Sequence, residues 1–82
     1  MFEMIKEIVS KIKEDESIKE TLTPSSDLIN DIGLDSLQMI NFILEVEDRF
    51  NVEIVYEDLD YSYLLSIENF MEFLKGMEKK VG

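Results

Sequence analysis

The stretch Asp31-Ile32-Gly33-Leu34-Asp35-Ser36-Leu37-Gln38-Met39-Ile40-Asn41-Phe42-Ile43-Leu44-Glu45-Val46-Glu47-Asp48-Arg49-Phe50 passes from a polar loop into an amphipathic helix, and the rest of the fold is read around it. Leu37, Ile40, Leu44 and Phe50, with Ile43 and Val46 beside them, keep helical spacing, which predicts a helix over 36–50. Met39 and Phe42 are apolar too, so the apolar sector is wider than one core face needs. One or two of Leu37, Met39 and Phe42 are therefore expected at the surface. Asp35 stands at the junction with Gln38 three residues later, the spacing of a capping box. With Asp35 as the cap, Ser36 becomes the first helical residue, its hydroxyl free and pointing outward, and Gly33 lets the chain turn tightly before it. A free hydroxyl there suits a phosphate, because unpaired N–H groups and the helix dipole favour an anion. Simple capping by Ser36 is the competing reading.

Upstream, Ile5, Ile8, Val9 and Ile12 repeat at i, i+3, i+4 and i+7, which predicts a first helix from Phe2 to about Glu14. Residues 16–35 read as a long connection punctuated by Thr23-Pro24-Ser25-Ser26. Leu22, Leu28, Ile29, Ile32 and Leu34 are apolar enough to pin it onto the helices, with a helical turn expected around 27–31. Downstream, Val52, Ile54 and Tyr56 alternate like a strand, but no second strand exists to pair with it. A short helix near 56–61 after an extended piece is expected instead. Ile67, Phe70, Met71, Leu74 and Met77 mark a last helix capped by Ser66. The expectation is an all-α chain: one domain over 1–82, a small antiparallel four-helix bundle of three main helices plus a short third helix, with a long ordered first loop.

Composition excludes several functions. The chain of 82 residues has no Cys and no His, which removes disulfides, thiolate metal sites, a Cys nucleophile and the commonest general base. Serine hydrolysis lacks its usual base, so no catalytic residue is expected. An EF-hand counted from Asp27 fails, since Ile29, Ile32 and Gln38 fall where ligands, Gly and Glu belong; no metal site is expected. Eight Lys and Arg stand against nineteen Asp and Glu, a net charge of −11. Between Glu20 and Glu72 Arg49 is the one base against thirteen acids. Such a surface repels nucleic acid and anionic lipid and attracts basic protein patches. No apolar run approaches a membrane span, and a soluble, cytoplasmic monomer is expected.

Gly33-Leu34-Asp35-Ser36-Leu37 resembles the D-S-L signature of the acyl and peptidyl carrier proteins. The likeness runs from about Leu22 to Leu74 and includes Leu28 to Leu37, then Glu45-Val46-Glu47-Asp48-Arg49-Phe50 and the extended Val52-Glu53-Ile54. It implies that Ser36 carries 4′-phosphopantetheine, installed from coenzyme A by a phosphopantetheinyl transferase. Acyl or aminoacyl groups then ride as thioesters on that arm, loaded by a ligase and delivered to synthases and transferases with basic docking patches. The resemblance also implies partner contacts by Asp35, Leu37, Leu44, Glu45, Glu47 and Asp48, with Asp35 helping to place the transferase's metal. Leu44 as plain core is the competing reading.

Two features depart from the fatty-acid carriers. Gln38, Met39 and Asn41 stand where those carriers are acidic, and Glu57 to Ile67 is longer than their short third helix. The first tells against a housekeeping fatty-acid role, and the second is closer to the discrete carriers of polyketide, nonribosomal peptide or aminoacyl pathways. The expected role is an acyl carrier of fatty-acid, polyketide or related biosynthesis, with an aminoacyl or peptidyl carrier of a nonribosomal peptide or D-alanyl-type pathway as the alternative. Tyr56, Tyr61 and Tyr63 are expected at a half-buried rim. An acidic adaptor with Ser36 unmodified is the reading outside the carrier class.

Overall fold

The computed structural model describes residues 1–78, the side chains of Tyr56, Met77 and Glu78 excepted. Three main helices are α1 (Phe2–Lys13), α3 (Ser36–Phe50) and α4 (Ile67–Glu78), with a four-residue α2 (Ile18–Thr21) in the first connection. No β-strand occurs among the described residues. The all-helical bundle expected from the sequence is the one observed.

Helix α1 buries Ile5, Ile8 and Val9 and ends where Glu14 enters the left-handed region at φ 55°. The Glu14 N–H donates to the Lys11 carbonyl and the Asp15 N–H to the Ser10 carbonyl, a Schellman closure without glycine. The expected helical turn appears as one turn in which the Asp31 N–H donates to the Asp27 carbonyl at 3.1 Å. The loop is tethered as its apolar residues suggest: Leu22, Leu28 and Leu34 are buried, and Ile18 and Ile32 pack against the core. Its backbone also closes the start of α4. The Ile67 N–H donates to the Ser26 carbonyl at 2.9 Å and the Glu68 N–H to the Pro24 carbonyl at 2.7 Å. Ser66 caps α4 as expected, its hydroxyl accepting from the Asn69 N–H at 3.0 Å.

Helix α3 spans 36–50 as the spacing predicts, but its core face is rotated from the expected one. Phe42, Ile43 and Val46 are fully buried, with Met39 and Phe50 packed beside them. Leu37 is outside, as allowed for, but so are Ile40 and Leu44, at 67%, 45% and 53% exposure respectively. The reason is the neighbour. Helix α1 packs antiparallel on α3, with Lys11 against Glu45 and Glu7 against Arg49, and Phe42 meets Phe70 of α4 at 5.2 Å between ring centroids. Those contacts fix the 39/42/43/46/50 row inward and leave the i, i+3, i+7 row of Leu37, Ile40 and Leu44 to solvent.

After α3 the chain turns at Asn51, also left-handed at φ 54°. An extended piece follows, held because the Ile54 N–H donates to Glu47 Oε2 at 2.8 Å. The short helix expected near 56–61 is instead two 3₁₀ turns, Tyr56–Asp58 and Tyr61–Leu64. Asp60 starts the second by accepting from the Ser62 N–H, which ends any continuous helix through 59–60. Tyr63 is half-buried and stacks on Phe73 at 4.8 Å, while Tyr61 is exposed; Tyr56 and Met77 lie outside the described side chains.

Candidate functional site at the start of α3

Three devices place the loop-to-helix junction. Gly33 adopts φ 77°, a conformation that L side chains rarely take. Leu34, next in the chain, is buried, and its N–H donates to the Leu28 carbonyl at 3.1 Å. Asp35 then caps α3. Its Oδ1 accepts from the Gln38 N–H at 2.7 Å, and its own N–H donates to Gln38 Oε1 at 3.2 Å. This is the reciprocal capping box read from the spacing. From α1, Lys13 Nζ reaches the Gly33 carbonyl at 3.4 Å.

With capping done by Asp35, Ser36 stands exposed as the first helical residue. The N–H groups of Ser36 and Leu37 precede the intrahelical ladder, and among the described residues neither donates to another backbone group. An exposed hydroxyl beside two unclaimed donors at a positive dipole end is a place where a phosphodiester fits. Ile40 is one turn from Ser36, and Leu37, Ile40 and Leu44 run down the same side of α3.

The acids singled out on α3 are not equivalent. Glu45 lies 3.1 Å from Lys11 Nζ and 3.6 Å from Arg49 Nε. Glu47 is turned toward the Ile54 N–H, while Asp48 is exposed. Helix α3 thus brings Ser36, Leu37 and Leu44 to solvent and engages Glu45 and Glu47 within the domain. Sequence reasoning placed Ile40 in the core and gave Lys11 no part in this face. The signal for Ile40 was present in its i+3 relation to Leu37, but nothing local told the two apolar rows apart.

In the loop that leads to the site, Asp27 is held by Asn30 and Ile29. Its Oδ1 accepts from both backbone N–H groups and its Oδ2 from Asn30 Nδ2. The Asn30 N–H above all lowers its pKa below the usual carboxylate value. Among the described residues no group of three or more acidic or other metal-ligating side chains converges on a point.

The family model described as "Phosphopantetheine attachment site" matches residues 5–74. The acyl carrier protein of Syntrophus aciditrophicus is 41% identical over 56 residues, 68% of each chain. That of Campylobacter lari is 30% identical over 74 residues, 90% of each chain. That of Campylobacter fetus subsp. fetus is 27% identical over 79 residues, 96% of this chain and 97% of its own. A match that runs from α1 through α4, with an uncommitted serine at the head of α3, means that this chain belongs to the phosphopantetheine-binding carrier family that includes the acyl carrier proteins, and that its prosthetic group is 4′-phosphopantetheine.

Proposed function

We propose that this chain acts as an acyl carrier whose prosthetic group is attached to Ser36. The observation that carries this is the Asp35–Gln38 capping box, which takes over the task that would otherwise occupy the Ser36 hydroxyl. Ser36 Oγ would hold the group as the ester oxygen, the coenzyme A pyrophosphate bond breaking to release adenosine 3′,5′-bisphosphate and the hydroxyl proton passing to the transferase. The Ser36 and Leu37 N–H groups would favour the phosphodiester anion. The group supplies a terminal thiol, which a chain without Cys lacks. Asp35 holds the start of α3 and leaves a carboxylate next to the attachment point. Leu37, Ile40 and Leu44 offer the contact surface for the transferase, for a loading ligase and for synthase partners. The relatives' shared name supports an acyl over an aminoacyl cargo. The carrier performs no catalysis in this reading, its clients supplying the chemistry. No helix among the described residues is long and apolar enough to cross a membrane.

The test is intact mass before and after incubation with coenzyme A, Mg²⁺ and a broad-specificity phosphopantetheinyl transferase. A gain of one phosphopantetheine on the parent and none on Ser36→Ala is expected. No gain in folded, unmodified protein overturns the reading and leaves an acidic adaptor in its place.

A further inference from the structure

Glu45 sits on α3 between two cations that belong to the domain itself. Lys11 Nζ of α1 lies 3.1 Å from its Oε1, and Arg49 Nε, one turn along α3, lies 3.6 Å from its Oε2. Arg49 also reaches across to Glu7 of α1, Nη1 to Oε2, at 3.6 Å. These pairs are partly exposed and add little to stability. Their effect on the field is a separate matter, because a positive charge at 3–4 Å cancels a carboxylate's attraction for a distant cation whatever the pair contributes to folding. Glu47 is spent differently, its Oε2 accepting from the Ile54 N–H at 2.8 Å. Of the acids on α3, Asp48 alone has neither an ion pair nor a hydrogen bond from its side chain among the described residues. Lys11 and Arg49 therefore mute Glu45 where α3 meets α1, beside the exposed row of Leu37, Ile40 and Leu44, while Asp48, one turn past Leu44 on that row, keeps its charge.

Resting on the reading that partners dock on α3, we propose that Lys11 and Arg49 are specificity-determining residues. They neutralise Glu45 in place, so that α3 recruits partners presenting an apolar surface to Leu37, Ile40 and Leu44. They disfavour partners that find a carrier by its negative charge. Mutating a rim charge acts chiefly on encounter rate and salt dependence, which is where the effect is to be read.

The experiment uses two phosphopantetheinyl transferases as probes, one with a cationic docking face and one with an apolar face. KM for the carrier is measured from about 0.05 M to about 0.3 M NaCl, a range that carries the Debye length through roughly 10 Å. The Lys11→Met/Arg49→Gln variant is expected to lower KM for the cationic transferase roughly threefold or more at low salt. Its salt dependence steepens, kcat is unchanged, and the apolar transferase is unaffected. Adding Glu45→Gln is expected to remove the gain. Lys19→Met, which deletes a cation paired with Glu16 near α2, is expected to give none. Thermal melts of each variant confirm that folded proteins are compared. An unchanged KM for the cationic transferase overturns the proposal alone, as does a gain that survives Glu45→Gln or appears with Lys19→Met. Absence of any mass gain with either transferase overturns the carrier reading, and this proposal with it.

Discussion

Asp35 and Gln38 hold each other across the first turn of α3, the Gln38 N–H 2.7 Å from Asp35 Oδ1 and the Asp35 N–H 3.2 Å from Gln38 Oε1. The pair satisfies two backbone donors at a helix end and, in doing so, releases Ser36 from any capping duty. In the proposed reading, structure falls to Asp35 and chemistry to its neighbour Ser36.

That division is testable by substitution at the cap. Asp35→Ala is expected to destabilise the fold by about 1 kcal/mol, within the usual range of about 0.5–2 for a lost N-cap. Asp35→Asn, which keeps an accepting oxygen, is expected to cost a few tenths at most, since Asn and Asp cap about equally well. Ser36→Ala is expected to leave stability unchanged within about 0.5 kcal/mol, as for a surface site. Urea unfolding of the three variants checks this. A loss for Ser36→Ala equal to that for Asp35→Ala means that Ser36 is the cap.

The two apolar rows of α3 make opposite predictions. Phe42 is fully buried against Phe70, so Phe42→Ala is expected to cost about 3–5 kcal/mol, a large part of a domain's typical ~5–15. Leu44 is half exposed, so Leu44→Ala is expected to change stability by no more than about 0.5 kcal/mol. Denaturant melts separate them. A larger loss at Leu44 than at Phe42 places the core face where the apolar spacing alone put it.

This contrast marks what was legible in the sequence. The capping box was readable because both of its side chains lie within four consecutive residues, and so was the extent of α3. Which side of α3 faces inward was not. Leu37, Met39, Ile40, Phe42, Ile43, Leu44, Val46 and Phe50 surround most of the helix, and only the approach of α1 and of Phe70 selects among them. The 3₁₀ turns and α2 escaped for a related reason. Helices of three or four residues draw little on propensity. The second 3₁₀ turn is held by the Leu28 N–H donating to the Leu64 carbonyl from far along the chain, while α2 and the first 3₁₀ turn close only on their own neighbours among the described residues. The apolar loop residues Leu22, Leu28 and Leu34 did announce the tether, since burying them requires it.

Gly33 and Gly76 both have open surroundings, yet they are expected to respond to alanine in opposite directions. At Gly33 an added Cβ would meet nothing within 4 Å, but φ is +77°, so Gly33→Ala is expected to cost about 1–2 kcal/mol in backbone strain. Gly76 lies inside α4 with the same open space and no positive φ. Gly76→Ala is expected to stabilise by about 0.5–1 kcal/mol, or roughly 2–8 °C in Tm for a domain of this size. Thermal melts decide both, and a stabilising Gly33→Ala removes the strain argument.

Asp27 makes acid sensitivity specific to one group. The N–H of Asn30 first, then its side-chain amide and the N–H of Ile29, favour the carboxylate and hold its pKa below the ordinary value. A folded-state pKa lower than the unfolded one stabilises the fold above the unfolded value of about 3.9. That contribution is lost as pH falls through the lower, folded value. Asp27→Asn keeps the shape and removes the charge, so the parent is expected to be the more stable of the two at neutral pH. Their difference is expected to stay level down to about pH 4–5 and then shrink as pH falls further. The measurement is the urea midpoint of both proteins across that range, at about 0.2 M salt so that the long-range repulsion of an acidic chain is screened. A difference that stays constant into strong acid, or grows there, means that Asp27 is held by shape alone and that its charge contributes nothing to the loop ahead of Ser36.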